Sequence, residues 1–358
     1  MSTPSAPLRI GLLGASRISD LAVIGPATET GHQIVAVAAR DPDRARVWAS
    51  SRGIERVHAS YADLLADPHV EVVYNALPNG LHAPWNIAAL RAGKHVLSEK
   101  PFASNAAEAE QVREAAQVID PDGRLVVFEA FHYWYHPVFQ RLLEVIGDGT
   151  IGELEHLHVN MSMPAPAPTD LRWSWDLAGG CLMDLGCYCI HAIRSVAGHL
   201  GGAPELTGAR ALERAGHPDV DEQVHLEFDL PHGATAVADA TMNGAWDFSI
   251  TATGAAGRAT VANFVNVHTD DRLVIEGPDG VRTEHLGSRS TYTYQMDALA
   301  AAIREGRPFP TGMDDAVENM RAIDAGYSAA GMPARPTQAG EPSAVDQRSD
   351  SGSEAARR

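Results

Sequence analysis

The sequence predicts an α/β N-terminal half built on a doubly wound parallel sheet, followed by an α+β half built on an open, mostly antiparallel sheet. Three observations carry this. Short apolar runs alternate with helical patterns up to residue 130, as in βαβ units. A glycine turn, Gly11-Leu12-Leu13-Gly14-Ala15-Ser16, closes the first of those runs. Beyond residue 150 the apolar period becomes two and helices largely drop out.

Residues 8–13 form a short buried strand, and a helical stretch follows Arg17. A second strand, Gln33–Ala38, leads into a helix over Pro42–Ser51. The rhythm repeats as helix Tyr61–Ala66, strand Val70–Asn75, helix Ala83–Ala92, strand His95–Ser98, helix Ala106–Ile119 and strand Leu125–Phe128. A helix at Pro137–Ile146 ends at the junction Gly147-Asp148-Gly149. From Leu154 to Met163, Leu157, Val159 and Met161 alternate with His156, His158 and Asn160, which marks a strand with one wet face. Further strands are expected at 206–212, 224–230, 235–241, 248–253, 258–262, 273–276 and 281–286. Helices over 292–305 and 314–331 are expected to pack back on the first half. The division is 1–130, 131–332 and a polar, small-residue tail at 333–358, read as disordered because it offers little apolar area to bury.

The 358 residues carry 28 Lys and Arg against 46 Asp and Glu, a net charge of −18. This argues against a nucleic-acid binder, which needs a basic footprint. No apolar run reaches the roughly 18 residues that span a bilayer. The three cysteines, Cys181, Cys187 and Cys189, give no disulfide framework and point to the cytoplasm. They also lack zinc spacing, and Pro137 breaks the His132/His136 pair, so no metal site is expected.

In the glycine turn, Gly14 suits the close approach of a pyrophosphate to backbone N–H groups, with Ser16, Arg17 and Ile18 continuing the loop. Ser16 and Ser19 stand where such turns usually carry further glycines. The second strand ends Ala38-Ala39-Arg40-Asp41, without the carboxylate that binds the ribose of NAD. Arg40 is suited to a 2′-phosphate, hence to NADP over NAD, while Asp41 can cap the helix at Pro42. Glu99-Lys100-Pro101 lies at the carboxyl edge of the sheet, where such folds bind ligands, and Pro101 keeps Lys100 extended.

Together with Asn75-Ala76-Leu77-Pro78-Asn79, His82, Ala92-Gly93-Lys94-His95-Val96, Glu129-Ala130-Phe131 and the run Gly179–Tyr188, these segments resemble the glucose–fructose oxidoreductase/inositol dehydrogenase (Gfo/Idh/MocA) family over residues 8–330. The spacing of Asp184 and Tyr188 is similar to that of its dihydrodiol dehydrogenase and NADP-dependent D-xylose dehydrogenase branch. The resemblance implies a Rossmann domain and a catalytic Lys100 with Asp184 and Tyr188 as companions. It also implies a loop of Leu77, Pro78, Asn79 and His82 along the cofactor, with Glu99 beside it. His82 is read either as a ribose contact or as a cap for the helix at Ala83.

A phenol, with a pKa near 10, is a poor base at neutral pH. Lys100 and an oxidised nicotinamide are expected to lower that value, making Tyr188 general base in one direction and general acid in the other. Arg172, Trp173 and Trp175 are expected to line a pocket for a sugar-like or cyclic secondary alcohol. The open sheet suggests a homodimer or homotetramer through its uncovered face. Imine or biliverdin-type reduction, and a non-catalytic NADP-binding sensor, stand as alternatives.

Overall fold

The computed structural model describes residues 6–338. Six parallel strands form the first sheet in the order β3-β2-β1-β4-β5-β6. They are β1 (Arg9–Leu13), β2 (Gln33–Ala38), β3 (Arg56–His58), β4 (Val72–Asn75), β5 (His95–Ser98) and β6 (Val127–Glu129). Strand order reverses between β1 and β4, so the loops beyond their carboxyl ends part there and leave a crevice. The crossover helices are α1 (Gly25–Thr30), α2 (Pro42–Ser50), α3 (Tyr61–Ala66), α4 (His82–Arg91) and α5 (Ala106–Ile119). The helical stretch expected after Arg17 opens as a π-helical turn at Asp20–Ile24 and runs on into α1. The sequence reading also missed β3, an edge strand of three residues with no apolar run to announce it.

The second sheet has eight strands in the order β14-β13-β12-β11-β7-β10-β9-β8. These are β7 (Leu154–Ser162), β8 (Glu205–Glu213), β9 (Asp221–Asp229), β10 (Thr235–Thr241), β11 (Asp247–Gly254), β12 (Gly257–Val261), β13 (Arg272–Gly277) and β14 (Gly280–His285). Pairing is antiparallel except between β7 and β10. Leu157, Val159, Met161, Ala236, Ala238 and Ile250 are buried on one face. There they meet α6 (Pro137–Gly147) and α7 (Cys187–His199), and period-two strands need such a cover for their apolar face. On the other face His158 and His225 both bond the Asp239 carboxylate, at 2.8 and 2.7 Å.

The chain then returns to the first half. Helix α8 (Thr291–Glu305) packs on α1, and α9 (Met313–Ala329) packs on α5 and α7. Glu29 accepts from Arg289 at 2.8 Å and from Thr293 at 3.0 Å, tying α8 to the nucleotide half.

The expectation of disorder from residue 333 is corrected for residues 333–338. Arg335 is 2% exposed; its guanidinium donates to the carbonyls of Gly179 (2.7 Å) and Asp219 (2.9 Å) and pairs with the Asp221 carboxylate. The segment is held by a buried charge and not by apolar area, which is why composition concealed it. The remainder of that predicted tail, 339–358, lies outside the described residues.

Candidate active site

Lys100 lies two residues beyond the end of β5, at the carboxyl edge of the first sheet, where the Lys100–Pro101 bond is cis. Its neighbour Glu99 is anchored on both sides: the Glu99 N–H donates to the Asn75 carbonyl at 2.9 Å, and the Tyr74 hydroxyl donates to its carboxylate at 2.7 Å. The Lys100 ammonium reaches into the second half. It donates to the Asp184 main-chain carbonyl at 2.7 Å and to the Asp184 carboxylate at 2.9 Å. Asp184 lies in a π-helical turn, Leu182–Gly186, that runs into α7. Wide turns of this kind are frequent at functional sites because they re-aim backbone groups. The second carboxylate oxygen accepts from Arg172 Nε at 2.6 Å, and Asp170 in turn accepts from Arg172.

Burial opposes charge on all three groups, but their mutual attraction wins. The Asp184 carboxyl is held well below the usual carboxylate range despite burial, by Lys100 and then Arg172. Burial would lower Lys100, yet Asp184 raises it overall, and Asp184 likewise raises Arg172. Two cations therefore flank one permanent carboxylate.

Tyr188, four residues beyond Asp184, is 4% exposed. The Lys100 ammonium sits over its ring, 5.1 Å from the centroid. The expectation joined Lys100 to a bound oxidised nicotinamide; the chain's own groups act in the other direction. Burial, with Tyr292 and Glu99 nearby, pushes the phenol well above its ordinary value instead of below it. Burial therefore favours the neutral phenol. Its oxygen lies 3.0 Å from His132 Nε2, and His132 Nδ1 lies 2.7 Å from Thr291 Oγ1. Sequence reasoning missed His132 and Thr291, because 56 and 159 positions separate the paired residues and no local spacing signals either bond.

At the nucleotide edge, Gly14 has φ +96°, and a Cβ there would meet the Ala76 carbonyl and Leu77 side chain at 3.4 Å. Only glycine fits such a turn without strain. Ser16 and Ser19 share a 2.7 Å hydroxyl contact that braces the loop, while Arg17 and Ile18 are exposed. Arg40 is exposed at the end of β2. Asp41 instead caps α2, accepting from the N–H groups of Asp43 and Arg44 at 3.0 Å. Pro78 and Asn79 are half-buried, and the Asn79 amide donates to the Ala178 carbonyl at 3.0 Å, tying the loop to the second half.

His82 opens α4 and does not cap it through its side chain. It is 1% exposed, and its ring nitrogens lie 2.7 Å from the carbonyl oxygens of Pro101 and Leu77. It thus braces the loop against the residue following Lys100. Two tryptophans each hold an arginine against the ring. Trp173 is 3% exposed and sits under the Arg214 guanidinium, 4.8 Å from its ring centroid. Trp175 is covered by Arg335 at 4.9 Å. Of the three expected pocket residues, only Arg172 joins the Lys100–Asp184 cluster.

An ammonium and a phenol meet beside the carboxyl edge of a Rossmann sheet, and the class is that of the NAD(P)-dependent oxidoreductases. Comparison with known proteins makes this specific. Residues 8–119 match the model of the oxidoreductase family with an NAD-binding Rossmann fold, and residues 139–260 match the Gfo/Idh/MocA C-terminal domain. The chain belongs to the Gfo/Idh/MocA family. It is 32% identical to D-xylose 1-dehydrogenase (NADP(+)) 2 of Haloferax volcanii, over 90% of this chain and 97% of that protein. It is 34% identical to mouse trans-1,2-dihydrobenzene-1,2-diol dehydrogenase, over 63% of this chain and 66% of that one. Among solved structures, the 3-ketoreductase KijD10 of Actinomadura kijaniata, in complex with NADP and TDP-benzene, superimposes with a TM-score of 0.81 at 27% identity. That match covers 90% of this chain and 98% of KijD10.

Proposed function

We propose that this protein is an NADP-dependent dehydrogenase or reductase that moves hydride between the nicotinamide and a sugar-like or cyclic secondary alcohol. The observation that carries the reading is the meeting of Lys100 with Asp184 and Tyr188, drawn from opposite halves of the chain to one sheet edge. The named activities of the xylose and dihydrodiol dehydrogenases support the substrate class.

The residues present fit NADP. Gly14 leaves a space that any side chain would fill, and an exposed guanidinium at Arg40 stands where NAD enzymes carry a carboxylate. Arg40 and the loop from Gly14 through Ile18 would hold the phosphates, and Leu77, Pro78 and Asn79 would flank the ribose. When bound, the nicotinamide supplies the acceptor or donor of hydride.

The chain's own residues handle the oxygen. An ammonium carries three hydrogens. Lys100 commits two to Asp184, which fixes its direction, and the third remains for the substrate oxygen, where it stabilises developing negative charge. Arg172 keeps Asp184 ionised and so keeps Lys100 charged. Tyr188 carries the proton. In the reducing direction a new alkoxide is far more basic than a phenolate, so the raised value of Tyr188 does not block protonation.

The outer face of the second sheet, where His158, Asp239 and His225 lie, is the surface through which the chain would associate as a homodimer or homotetramer. Three buried free thiols suit the reducing cytoplasm. Among the described residues no helix is long and apolar enough to cross a membrane.

The test is absorbance at the reduced-nicotinamide band with NADP and with NAD across aldoses, inositols and trans-diols. Turnover with at least one alcohol, faster with NADP, is expected. Tyr188→Phe should lower turnover by about 100-fold or more while NADP still binds. Tight NADPH binding with no turnover on any alcohol or ketone would favour a sensor instead.

A further inference from the structure

Tyr188 bonds a second buried group that the proton chemistry has not yet used. His132 is fully buried on the turn after β6, and its two ring nitrogens face different partners. Thr291 donates its single hydroxyl hydrogen to the Val265 carbonyl at 3.1 Å. Toward His132, 2.7 Å away, the Thr291 oxygen can therefore only accept, so Nδ1 must carry the hydrogen. In a neutral ring this leaves a lone pair on Nε2, facing the Tyr188 oxygen at 3.0 Å. The Tyr188 hydrogen points to His132, and the lone pairs of its oxygen are left for an alcohol.

We propose that His132 is the proton-holding partner of Tyr188: its Nε2 takes the tyrosine's own hydrogen as the tyrosine oxygen takes that of the substrate alcohol. This rests on the reading of Tyr188 as the proton carrier. A neutral phenol has no place for a second proton, so it accepts one only by surrendering its own. In oxidation the alcohol O–H proton goes to Tyr188, and the Tyr188 proton goes to His132 Nε2. The C=O bond forms as the C–H electron pair leaves as hydride, for which a bound oxidised nicotinamide would supply the acceptor. The imidazole takes up one positive charge, which the charge lost from that acceptor would balance. Reduction runs the same moves backwards.

The surroundings keep both partners neutral at rest. Burial, then Lys100 and His268, holds His132 well below its ordinary value, and Tyr292 from α8 stacks on the ring at 3.7 Å. Burial raises Tyr188, with Tyr292, Glu99, Cys187 and Asp184 acting in the same direction. Burial disfavours both a standing phenolate and a standing imidazolium at rest; the paired movement avoids the phenolate and forms the imidazolium only as the substrate alcohol gives up its proton. Thr291 is a positioning residue here, since it selects the tautomer.

The experiment compares His132→Gln with Tyr188→Phe. A glutamine amide oxygen can accept the tyrosine hydrogen bond but cannot take the proton. With D-xylose, or the fastest alcohol of the panel, His132→Gln should lose about 100-fold in kcat at pH 7 while KM and NADPH binding stay within threefold. Its rate should climb with pH, as ionisation of Tyr188 replaces the missing acceptor. Independently of turnover, 15N NMR of histidine-labelled protein without cofactor should show one neutral Nδ1–H histidine whose Nε2 signal moves in Tyr188→Phe. A His132→Gln rate within threefold of wild type at pH 7, or a His132 protonated on Nε2, overturns the proposal. If Tyr188→Phe is inactive while His132→Gln is not, only the His132 step fails. If Tyr188→Phe also turns over, the proton-carrier reading fails with it.

Discussion

The Lys100 ammonium spans 84 positions of chain to bond two oxygens of a single residue, the main-chain carbonyl and the carboxylate of Asp184. One contact therefore fixes the lysine in space while the other fixes its charge, and the two can be separated by mutation.

Asp184→Asn keeps the carbonyl bond and removes the charge. Lys100, left with burial as the dominant influence, should lose its proton at lower pH. The expected result is a loss of turnover of about 100-fold and an alkaline limb of the rate profile displaced toward neutral pH. Removing one partner of a buried pair costs about 3–5 kcal/mol, and because Arg172 is 39% exposed and can rehydrate, the low end is expected. Urea unfolding and a pH–rate profile check the two effects.

Arg40→Ser addresses cofactor choice. Asp41 is occupied as a helix cap, so the guanidinium alone marks the end of β2. A charged hydrogen bond is worth about 1.5–3 kcal/mol, so NADP affinity should fall roughly 10- to 100-fold. NAD affinity should stay within about twofold, since NAD has no 2′-phosphate. Fluorescence titration with both reduced cofactors decides it: an equal loss for the two would remove Arg40 from this role.

Arg335→Met tests the segment that composition concealed. Arg335 and Asp221 have fully buried side chains, and Tyr327 donates to the same carboxylate at 2.9 Å. Leaving Asp221 without its cation should lower unfolding free energy by about 3–5 kcal/mol. Ending the chain at Met332 should do at least as much damage, read by thermal melts of purified protein.

His82 gives the protein a pH dependence of stability. Burial outweighs the two carbonyl contacts and pushes the imidazole down to about 4 from an ordinary 6.5. Between those values the unfolded chain binds a proton that the folded chain refuses. The stability this contributes is complete above pH 6.5 and is lost as pH falls toward 4. A single such proton gives a slope of up to about 1.4 kcal/mol per pH unit. His82→Asn should flatten that slope, measured by urea midpoints at pH 7, 6 and 5, even where it lowers stability overall.

The frame of this molecule was legible because apolar runs such as Leu12-Leu13, Val72–Tyr74 and Val96-Leu97 sit in the centre of a sheet covered on both faces. Strand β3, at the edge and half-exposed, left no such trace. Lys100, Asp184 and Tyr188 were legible through ordered local motifs. The Tyr188–His132–Thr291 connection was not, since it depends on how α7, α8 and the turn after β6 converge. Arg214 and Arg335 lie against the rings of Trp173 and Trp175, contacts made across the fold that no local spacing announces.

The return of α8 onto the nucleotide half bears on how the protein comes into being at the ribosome. Thr291 and Tyr292, which select and cover the His132 ring, are made more than a hundred residues after Tyr188. A nascent chain that has already folded its first sheet can acquire a cofactor cradle early. On the proposed chemistry its proton path would not be finished until the final helices emerge and dock, so cradle and catalyst would mature at different moments of synthesis.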